Sequence, residues 1–117
     1  MIQDKANELG RQIGQSEEYK AVKRSSDALN EDRAAVTALR EMEQLRLDAQ
    51  RLLERGENPT DEMERRLDEL LSQVQTNGTY QRYVAAQDNF DKLMVRVNEW
   101  ISEGIRKGAA SPIITLA

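Results

Sequence analysis

Two residue types that carry much of enzyme chemistry are missing from this sequence of 117 residues, which contains no cysteine and no histidine. Without cysteine, the chain can form no disulfide and offers neither a thiol nucleophile nor thiolate ligands for an iron–sulfur cluster. Without histidine, it lacks the commonest general base and the commonest ligand of transition metals. These two absences remove the usual cysteine- and histidine-based hydrolases, redox centres and zinc sites from consideration.

The sequence also lacks a long apolar run and a positive net charge. No segment approaches the roughly 18 consecutive apolar residues of a transmembrane helix, so no membrane span is expected. The first residues, Met1–Lys5, lack the basic region and apolar core of a signal peptide, which predicts a cytoplasmic protein. The net charge is −4. Because a dedicated nucleic-acid binder usually presents a basic face, direct nucleic-acid binding is not expected.

One local cluster of basic residues is the least neutralised by acidic neighbours. It comprises Lys20, Lys23 and Arg24, and Tyr19 lies beside it. Single-stranded nucleic acids are held by basic side chains together with aromatic rings, so these four residues are the candidate RNA contact. A solvated helix face is the simpler interpretation of the same residues. Binding that weakens steeply with salt would indicate the RNA contact.

Aromatic residues make up only 4% of the chain, and most of them fall between Asn77 and Lys107. Apolar residues recur there every three or four positions, which predicts an amphipathic helix capped by Asn77. A helix of about 29 residues would be about 43 Å long, so one end should be covered by other helices or another chain. The candidate interaction residues of this stripe are Tyr83, Phe90, Met94, Val97, Trp100 and Ile101. They form either a core and homo-oligomer contact or a site for a different protein.

Glycines, prolines and capping residues divide the rest of the chain into further helices. The pattern predicts helices at 2–14 and 17–29 and a third helix capped by Asn30 and ended by Gly56. A fourth helix begins either after Thr60 or after Asn58, with Pro59 as its first residue. Short connections between such helices favour antiparallel neighbours. The sequence therefore predicts an all-α fold, an elongated antiparallel bundle of four to five helices with a long C-terminal helix.

The composition changes after Gly108. We expect one helical domain over residues 1–107 and an apolar C-terminal tail over residues 108–117, where no side chain carries a charge. Pro112 opposes simple continuation of the preceding helix. The tail is either a mobile terminus or a short segment that docks in a groove of this chain or of a partner.

Carboxylate pairs such as Glu17 with Glu18 and Asp61 with Glu62 are frequent, but they stand at helix starts or on polar faces. Such a pair performs acid–base catalysis only when one member is buried enough to shift its pKa. Helix capping and solvation explain the pairs found here. We therefore expect no catalytic residue, no metal site and no cofactor.

Five segments of the chain, taken in order, carry a resemblance to a known family. They are residues 2–9, 16–20, 56–60, 83–90 and 101–105. In the fourth segment Ala86 and Gln87 fill the central places of the family's Tyr-x-x-Ala-(Glu/Gln)-x-x-Phe pattern. Over residues 1–106 the chain thus resembles the YlbF/YmcA family, also called the control-of-competence regulator family.

The resemblance implies a small cytoplasmic all-α bacterial protein without enzymatic activity, whose relatives assemble with themselves or with each other. The best-known members act as adaptors for the endoribonuclease RNase Y in RNA maturation and decay, with effects on competence, sporulation and biofilm formation. Those members form a complex that can hold iron–sulfur clusters through cysteine. This chain departs from that pattern, since it has no cysteine, and a cluster-linked role does not carry over.

We therefore expect a non-enzymatic regulatory adaptor that acts through helix-mediated assembly. A monomer with a thin core would leave the apolar stripes of its helices uncovered. The third and fifth helices should therefore join the chains of a dimer or tetramer. The partners that the resemblance implies are family paralogues or an endoribonuclease. The alternatives are a structural or chaperone-like coiled-coil module and an RNA-binding accessory protein.

Overall fold

Five helices and short turns make up the computed structural model, which describes the backbone of residues 1–116 and the side chains of residues 1–110. The helices are α1 (Ile2–Gly14), α2 (Glu17–Glu31), α3 (Arg33–Glu54), α4 (Asp61–Gln75) and α5 (Gly78–Leu116). The described backbone contains no strand. The all-α fold with a long C-terminal helix is confirmed.

Side chains at the predicted positions cap three of the helices. The hydroxyl oxygens of Ser16 and Thr60 each accept the backbone N–H of the residue three positions later, at 3.1 Å. The carboxamide oxygen of Asn77 does the same at the start of α5, at 2.9 Å. Each cap satisfies one of the N–H groups that a helix start leaves without an intrahelical partner. The turn before α4 begins at Gly56, whose φ of +78° ends α3 in the left-handed conformation.

The third helix begins later than the sequence suggested. Asn30 lies in the last turn of α2, and Asp32 instead accepts the backbone N–H of Ala35 at Oδ1, at 3.1 Å. The predicted cap at Asn30 is therefore wrong. Because Asp32 alone separates α2 from α3, the two helices follow one another almost without interruption.

The last helix extends beyond its predicted end at Lys107. Gly108 lies inside α5, which runs to Leu116. A glycine ends a helix when it adopts a positive φ, and Gly108 does not. Pro112 lies within the same helix. This is possible because a proline removes one backbone hydrogen bond and can kink a helix without ending it. The side chains from Ser111 onward lie outside the described residues, so the role of the tail stays a prediction.

The helices pair as α2 with α5 and as α3 with α4. The rings of Tyr19 and Phe90 are in contact, and Asp32 is hydrogen-bonded to Asn77, so α2 and α5 run antiparallel. The chain measures 69 × 37 × 21 Å, which confirms an elongated bundle. The two pairs meet where Asp32 and Asn77 interrupt the helices.

The core of this bundle is thin. The largest fully buried side chain is Leu70, which is 1% exposed and packs with Ala38 and Val74 between α3 and α4. The buried apolar residues among the described side chains are Leu29, Ala35, Ala38, Leu70, Val74, Ala86 and Val97. Since three of these are alanines, the helices approach closely but bury little apolar surface, and apolar surface remains open elsewhere.

Candidate protein-interaction surface

The apolar stripe of α5 divides into a covered part and an uncovered part at Val97. Tyr83, Phe90 and Met94 are half-buried, and Val97 is only 4% exposed. The Phe90 ring contacts Tyr19 of α2 edge to face, with ring centroids 5.6 Å apart. Of these four predicted interaction residues, Val97 is thus buried within the bundle and the other three are partly covered, so their contact with another chain stays a prediction.

The stripe continues beyond Val97 with side chains that the described residues leave exposed. Trp100 is 59% exposed, Ile101 is 45% exposed and Ile105 is 65% exposed. Trp100 and Ile101 follow Val97 by three and four positions, so they share its side of α5. We call these three exposed side chains the α5 end. Glu18, near the start of α2, shares a surface depression with Leu93 of α5.

A second open apolar surface lies between α3 and α4. It is a groove of about 590 Å³, which we call the α3–α4 groove. Its lining residues are Leu39, Met42, Glu43, Leu45, Arg46, Ala49, Pro59, Met63, Glu64, Leu67 and Leu71. The floor packs directly against the core around Leu70, and the three charged side chains stand among apolar neighbours. The sequence did not reveal this groove, because a stripe on α3 and a stripe on α4 look the same whether the seam between them is closed or open.

An ion pair holds the two sides of this helical hairpin together. Arg66 of α4 donates from Nη2 to Oε1 of Glu41 on α3 at 3.0 Å, and its Nε donates to the other carboxylate oxygen. A further hydrogen bond, of 3.1 Å, joins Arg66 Nη1 to Glu69 Oε2. The hydrogen bonds from Arg66 lower the pKa of Glu41, and those to Glu41 and Glu69 raise the pKa of Arg66. Both partners are therefore charged at neutral pH, and the pair fixes how α4 lies on α3.

The other perturbed carboxyl groups are also shifted toward the ionised form. The backbone hydrogen bond from Ala35 lowers the pKa of Asp32, and the hydrogen bond from Arg46 lowers the pKa of Glu43. A general acid at neutral pH would require a raised pKa instead. Among the described residues, no three acidic side chains gather into a group that could hold a metal ion. The described surfaces therefore present apolar side chains for contact, with ionised side chains beside them.

The candidate RNA contact is partly engaged within the bundle. The Tyr19 ring is 42% exposed because one side of it packs on Phe90. Lys20 Nζ lies 3.9 Å from a carboxylate oxygen of Glu17. Lys23 and Arg24 stand exposed on α2. RNA binding by these four residues stays a prediction.

None of the helices in the described part of the chain combines the length and apolar character that crossing a bilayer requires. The open surfaces described above are an apolar stripe on α5 and a groove between α3 and α4. Surfaces of this kind, larger than scattered single residues, mark sites of protein interaction.

Comparison with known proteins places the chain in a family. The family described as control of competence regulator ComK, YlbF/YmcA, matches residues 2–106. The UPF0342 protein of Limosilactobacillus reuteri (strain DSM 20016) is 27% identical over 105 residues, which cover 90% of this chain and 85% of that protein. The UPF0342 protein of L. reuteri subsp. reuteri (strain JCM 1112) matches with the same identity and coverage.

A solved structure shares the fold. It is the X-ray crystal structure of Bacillus subtilis RicA in complex with RicF, with a TM-score of 0.79 at 18% sequence identity over 92% of this chain and 96% of the matched chain. Together with the family match over residues 2–106, this likeness of fold agrees with the resemblance seen in the sequence, and the chain belongs to the YlbF/YmcA family of control of competence regulators.

Proposed function

We propose that this protein is a regulatory adaptor without enzymatic activity, which acts by binding other proteins through apolar helix surfaces. The observation that carries the proposal is the open α3–α4 groove, whose apolar floor is left uncovered by every other described element. A monomer with so thin a core leaves these surfaces exposed unless another chain covers them. The family description, that of a regulator, supports the same conclusion.

The partners in this proposal are a family paralogue and, through it or directly, the endoribonuclease RNase Y. The related fold was solved as a complex of two different proteins, RicA with RicF. The resemblance to adaptors of RNA processing supports the ribonuclease as the downstream target. A cytoplasmic location is part of the proposal, because bacterial RNA processing takes place in that compartment.

The groove has the features of a site that receives an amphipathic helix. Such a helix inserts apolar side chains spaced three or four positions apart into a groove between two helices. Met42 and Met63 can adjust to the shape of the incoming side chains, since methionine is flexible and polarisable. Glu43, Arg46 and Glu64 at the groove would set the orientation of the partner through their charges.

Affinity purification from the native host tests the proposal. Two tagged variants are compared with the wild type: Leu67→Glu places a charge in the groove, and Leu53→Glu places the same charge on an exposed leucine of α3 outside it. We expect the wild type and the Leu53→Glu variant to recover a paralogue or a ribonuclease, and the Leu67→Glu variant to lose it. Equal recovery by both variants would contradict a role for the groove.

The same purification separates the adaptor from a chaperone-like module. Recovery of many unrelated unfolded proteins, with no enriched paralogue or ribonuclease, would favour the chaperone and rule out the adaptor. Mapping of transcript ends in a strain without the protein tests the RNA-processing part. We expect the transcript ends made by the ribonuclease to change in abundance. If the transcript ends are unchanged although a paralogue is recovered, the protein-binding part of the proposal stands and its link to RNA processing is contradicted.

A further inference from the structure

A chemically reactive pair of residues lies at the junction where the two pairs of helices meet. Asn77 is followed by Gly78, whereas the other five asparagines of the chain precede glutamate, proline or phenylalanine. In an Asn-Gly pair the backbone nitrogen of the glycine can attack the side-chain amide of the asparagine, because no Cβ hinders its approach. This reaction deamidates the asparagine without an enzyme. Asn77 is therefore the asparagine of this chain that is most liable to deamidation.

The reaction needs only water besides the chain itself. The nitrogen of Gly78 loses its proton and forms a bond to Cγ of Asn77. The bond from Cγ to Nδ2 breaks, and ammonia leaves with that proton, so that a succinimide ring remains. Water then adds to either carbonyl carbon of the ring and opens it, which yields aspartate or isoaspartate at position 77. No group is oxidised or reduced.

The start of α5 positions both members of the pair. Gly78 is the first residue of α5 and is exposed, and its N–H is one of those that a helix start leaves without an intrahelical acceptor. The carboxamide of Asn77 is held at both of its polar atoms. Oδ1 accepts the N–H of Tyr80 at 2.9 Å, and Nδ2 donates to Oδ2 of Asp32 at 3.1 Å. Ring closure requires Cγ to turn toward the nitrogen of Gly78, so both hydrogen bonds must break first.

We propose that Asn77 is a deamidation site whose reactivity is controlled by its hydrogen bond to Asp32. While this bond is intact, the carboxamide stays in the capping position and reacts slowly. Local opening of the junction releases the carboxamide and allows the ring to close. The change is irreversible because ammonia is lost. Deamidation at this junction requires no partner, so it is independent of the proposed adaptor function.

The product changes how the junction is held. Aspartate at position 77 keeps an oxygen for the N–H of Tyr80, but it has no N–H to donate to Asp32 and places a second carboxylate beside it. The hydrogen bonds from Ala35 and Asn77 lower the pKa of Asp32, so Asp32 is ionised at neutral pH. Two ionised carboxylates in contact repel each other. Deamidation therefore removes the tie between the start of α3 and the start of α5.

Incubation of the purified protein at mildly alkaline pH, followed by peptide mapping, measures the reaction. A synthetic peptide of residues 72–83 gives the rate of the same Asn-Gly pair without the fold. We expect aspartate and isoaspartate at position 77 in both samples. The rate should be at least about tenfold lower in the folded protein, because two hydrogen bonds must break before the ring closes. Equal rates, or no product in the protein although the peptide reacts, would overturn the inference.

An Asp32→Asn variant tests the control by Asp32. Its single side-chain oxygen is engaged by the N–H of Ala35, so the cap of α3 is kept while Asn77 loses its acceptor. Deamidation at position 77 should accelerate about fivefold, the factor expected for the loss of one hydrogen bond. Glu31→Gln is the matched control, since it makes the same chemical change at the exposed neighbouring residue and should leave the rate unchanged. Equal rates in the Asp32→Asn variant and the wild type would overturn the control by Asp32.

A Gly78→Ala variant tests the reactive pair without altering either hydrogen bond. A Cβ at position 78 would have Nη1 of Arg82 as its nearest neighbour, at 3.6 Å, which is an ordinary van der Waals contact. The variant should therefore fold, which circular dichroism checks. Deamidation at position 77 should slow by at least about tenfold, because the added methyl group hinders the approach of the backbone nitrogen. A variant that reacts as fast as the wild type would contradict the assignment of this pair.

Hydrogen exchange tests the effect of deamidation on the junction. An Asn77→Asp variant carries one of the two products, and wild-type protein deamidated during incubation can be separated by its additional negative charge. In both samples the amide of Ala35, which Asp32 caps, should exchange about fivefold faster than in the intact protein, the factor for one hydrogen bond. The amide of Met63, which Thr60 caps, is the internal control and should be unchanged. Unchanged exchange at Ala35 in both samples would overturn the loosening of the junction.

Discussion

Asn77 donates a hydrogen bond from Nδ2 to Oδ2 of Asp32 across 3.1 Å, and each of the two residues caps a helix through its Oδ1 atom. Oδ1 of Asp32 accepts the N–H of Ala35 at the start of α3, and Oδ1 of Asn77 accepts the N–H of Tyr80 at the start of α5. The two interruptions in the helices therefore face one another. The hydrogen bond ties the connection between α2 and α3 to the connection between α4 and α5.

Replacement of Asn77 by alanine should destabilise the protein by more than the loss of a helix cap alone. We expect about 2 kcal/mol, of which about 1 kcal/mol comes from the cap and about 1 kcal/mol from the hydrogen bond to Asp32. Thr60→Ala is the matched control, since Thr60 caps α4 with a bond of similar length but contacts no distant residue. It should cost about 1 kcal/mol. Urea unfolding followed by circular dichroism measures both, and equal losses would show that the contact between the two caps contributes nothing.

The position of this junction shows what sequence patterns can and cannot predict. Asn30 and Asp32 are both favourable capping residues, and both precede an apolar-periodic segment. The choice between them depends on Asn77, 45 positions away, which only Asp32 contacts. Ser16 and Asn77 were predicted as caps, and both are confirmed. At the start of α4 the sequence offered both Thr60 and Asn58, and Thr60 is the cap. At the start of α3 a long-range contact, absent from any local window of sequence, distinguishes the two candidates.

The interaction surface was predicted only in part for a similar reason. Periodicity placed Phe90, Val97 and Trp100 on one side of α5, and the structure agrees. How far along that side the other helices cover α5 is a tertiary property, so the division between Val97 at 4% exposed and Trp100 at 59% exposed required the fold. The residues of the α3–α4 groove carry the same apolar pattern as a closed seam. Nothing in the pattern reports the distance between two helices.

Acid should destabilise the native protein through the pair of Glu41 and Arg66. The hydrogen bonds from Arg66 lower the pKa of Glu41 in the folded state. A lowered pKa contributes stability that is present above the pKa of the unfolded chain and is lost as the pH falls through the folded value. The free energy of unfolding should therefore fall as the pH decreases below about 4.5, the ordinary value for a glutamate. Chemical unfolding at pH 7 and at pH 3 measures this change.

A Glu41→Gln variant assigns part of that loss to the pair. It should be less stable than the wild type at pH 7 and should lose less stability on acidification, since one ionisable partner is gone. Glu43→Gln is the matched control: it makes the same change on the same helix, but Glu43 pairs only with Arg46, three positions away. Because that pair joins no two helices, the loss at pH 7 should be smaller. Identical behaviour of the two variants would contradict a role for the pair in holding α4 on α3.

The core between α3 and α4 should be sensitive despite its small size. Leu70 is 1% exposed, so Leu70→Ala removes a fully buried side chain and should cost about 2 to 5 kcal/mol. Leu53→Ala makes the same chemical change at a side chain that is 59% exposed and should alter stability by about 0.5 kcal/mol or less. Thermal unfolding compares the two. A loss at position 53 as large as that at position 70 would mean that the exposed leucine is covered in solution by another chain.

The contact between Tyr19 and Phe90 contributes to the free energy of unfolding, and measuring that contribution tests whether Tyr19 is part of the bundle or available to RNA. The rings meet edge to face at an angle of 62°, an arrangement worth about 0.5 to 1.5 kcal/mol beyond the area buried. A double-mutant cycle of Tyr19→Leu and Phe90→Leu should return a coupling energy in that range. No coupling would mean that the Tyr19 ring is free to stack on a base.

Variants of the basic residues beside Tyr19 test the RNA contact directly. Lys23→Ala with Arg24→Ala changes exposed side chains on α2 and should leave the melting temperature unchanged within about one degree, because surface substitutions have small effects. If these residues are a solvated helix face, the variant and the wild type should have the same weak affinity for a single-stranded RNA oligonucleotide at 50 mM and 200 mM salt. A wild-type affinity that falls steeply over this range, together with a loss in the variant, would establish a phosphate contact. The net charge of −4 and the packing of Tyr19 on Phe90 both favour the first result.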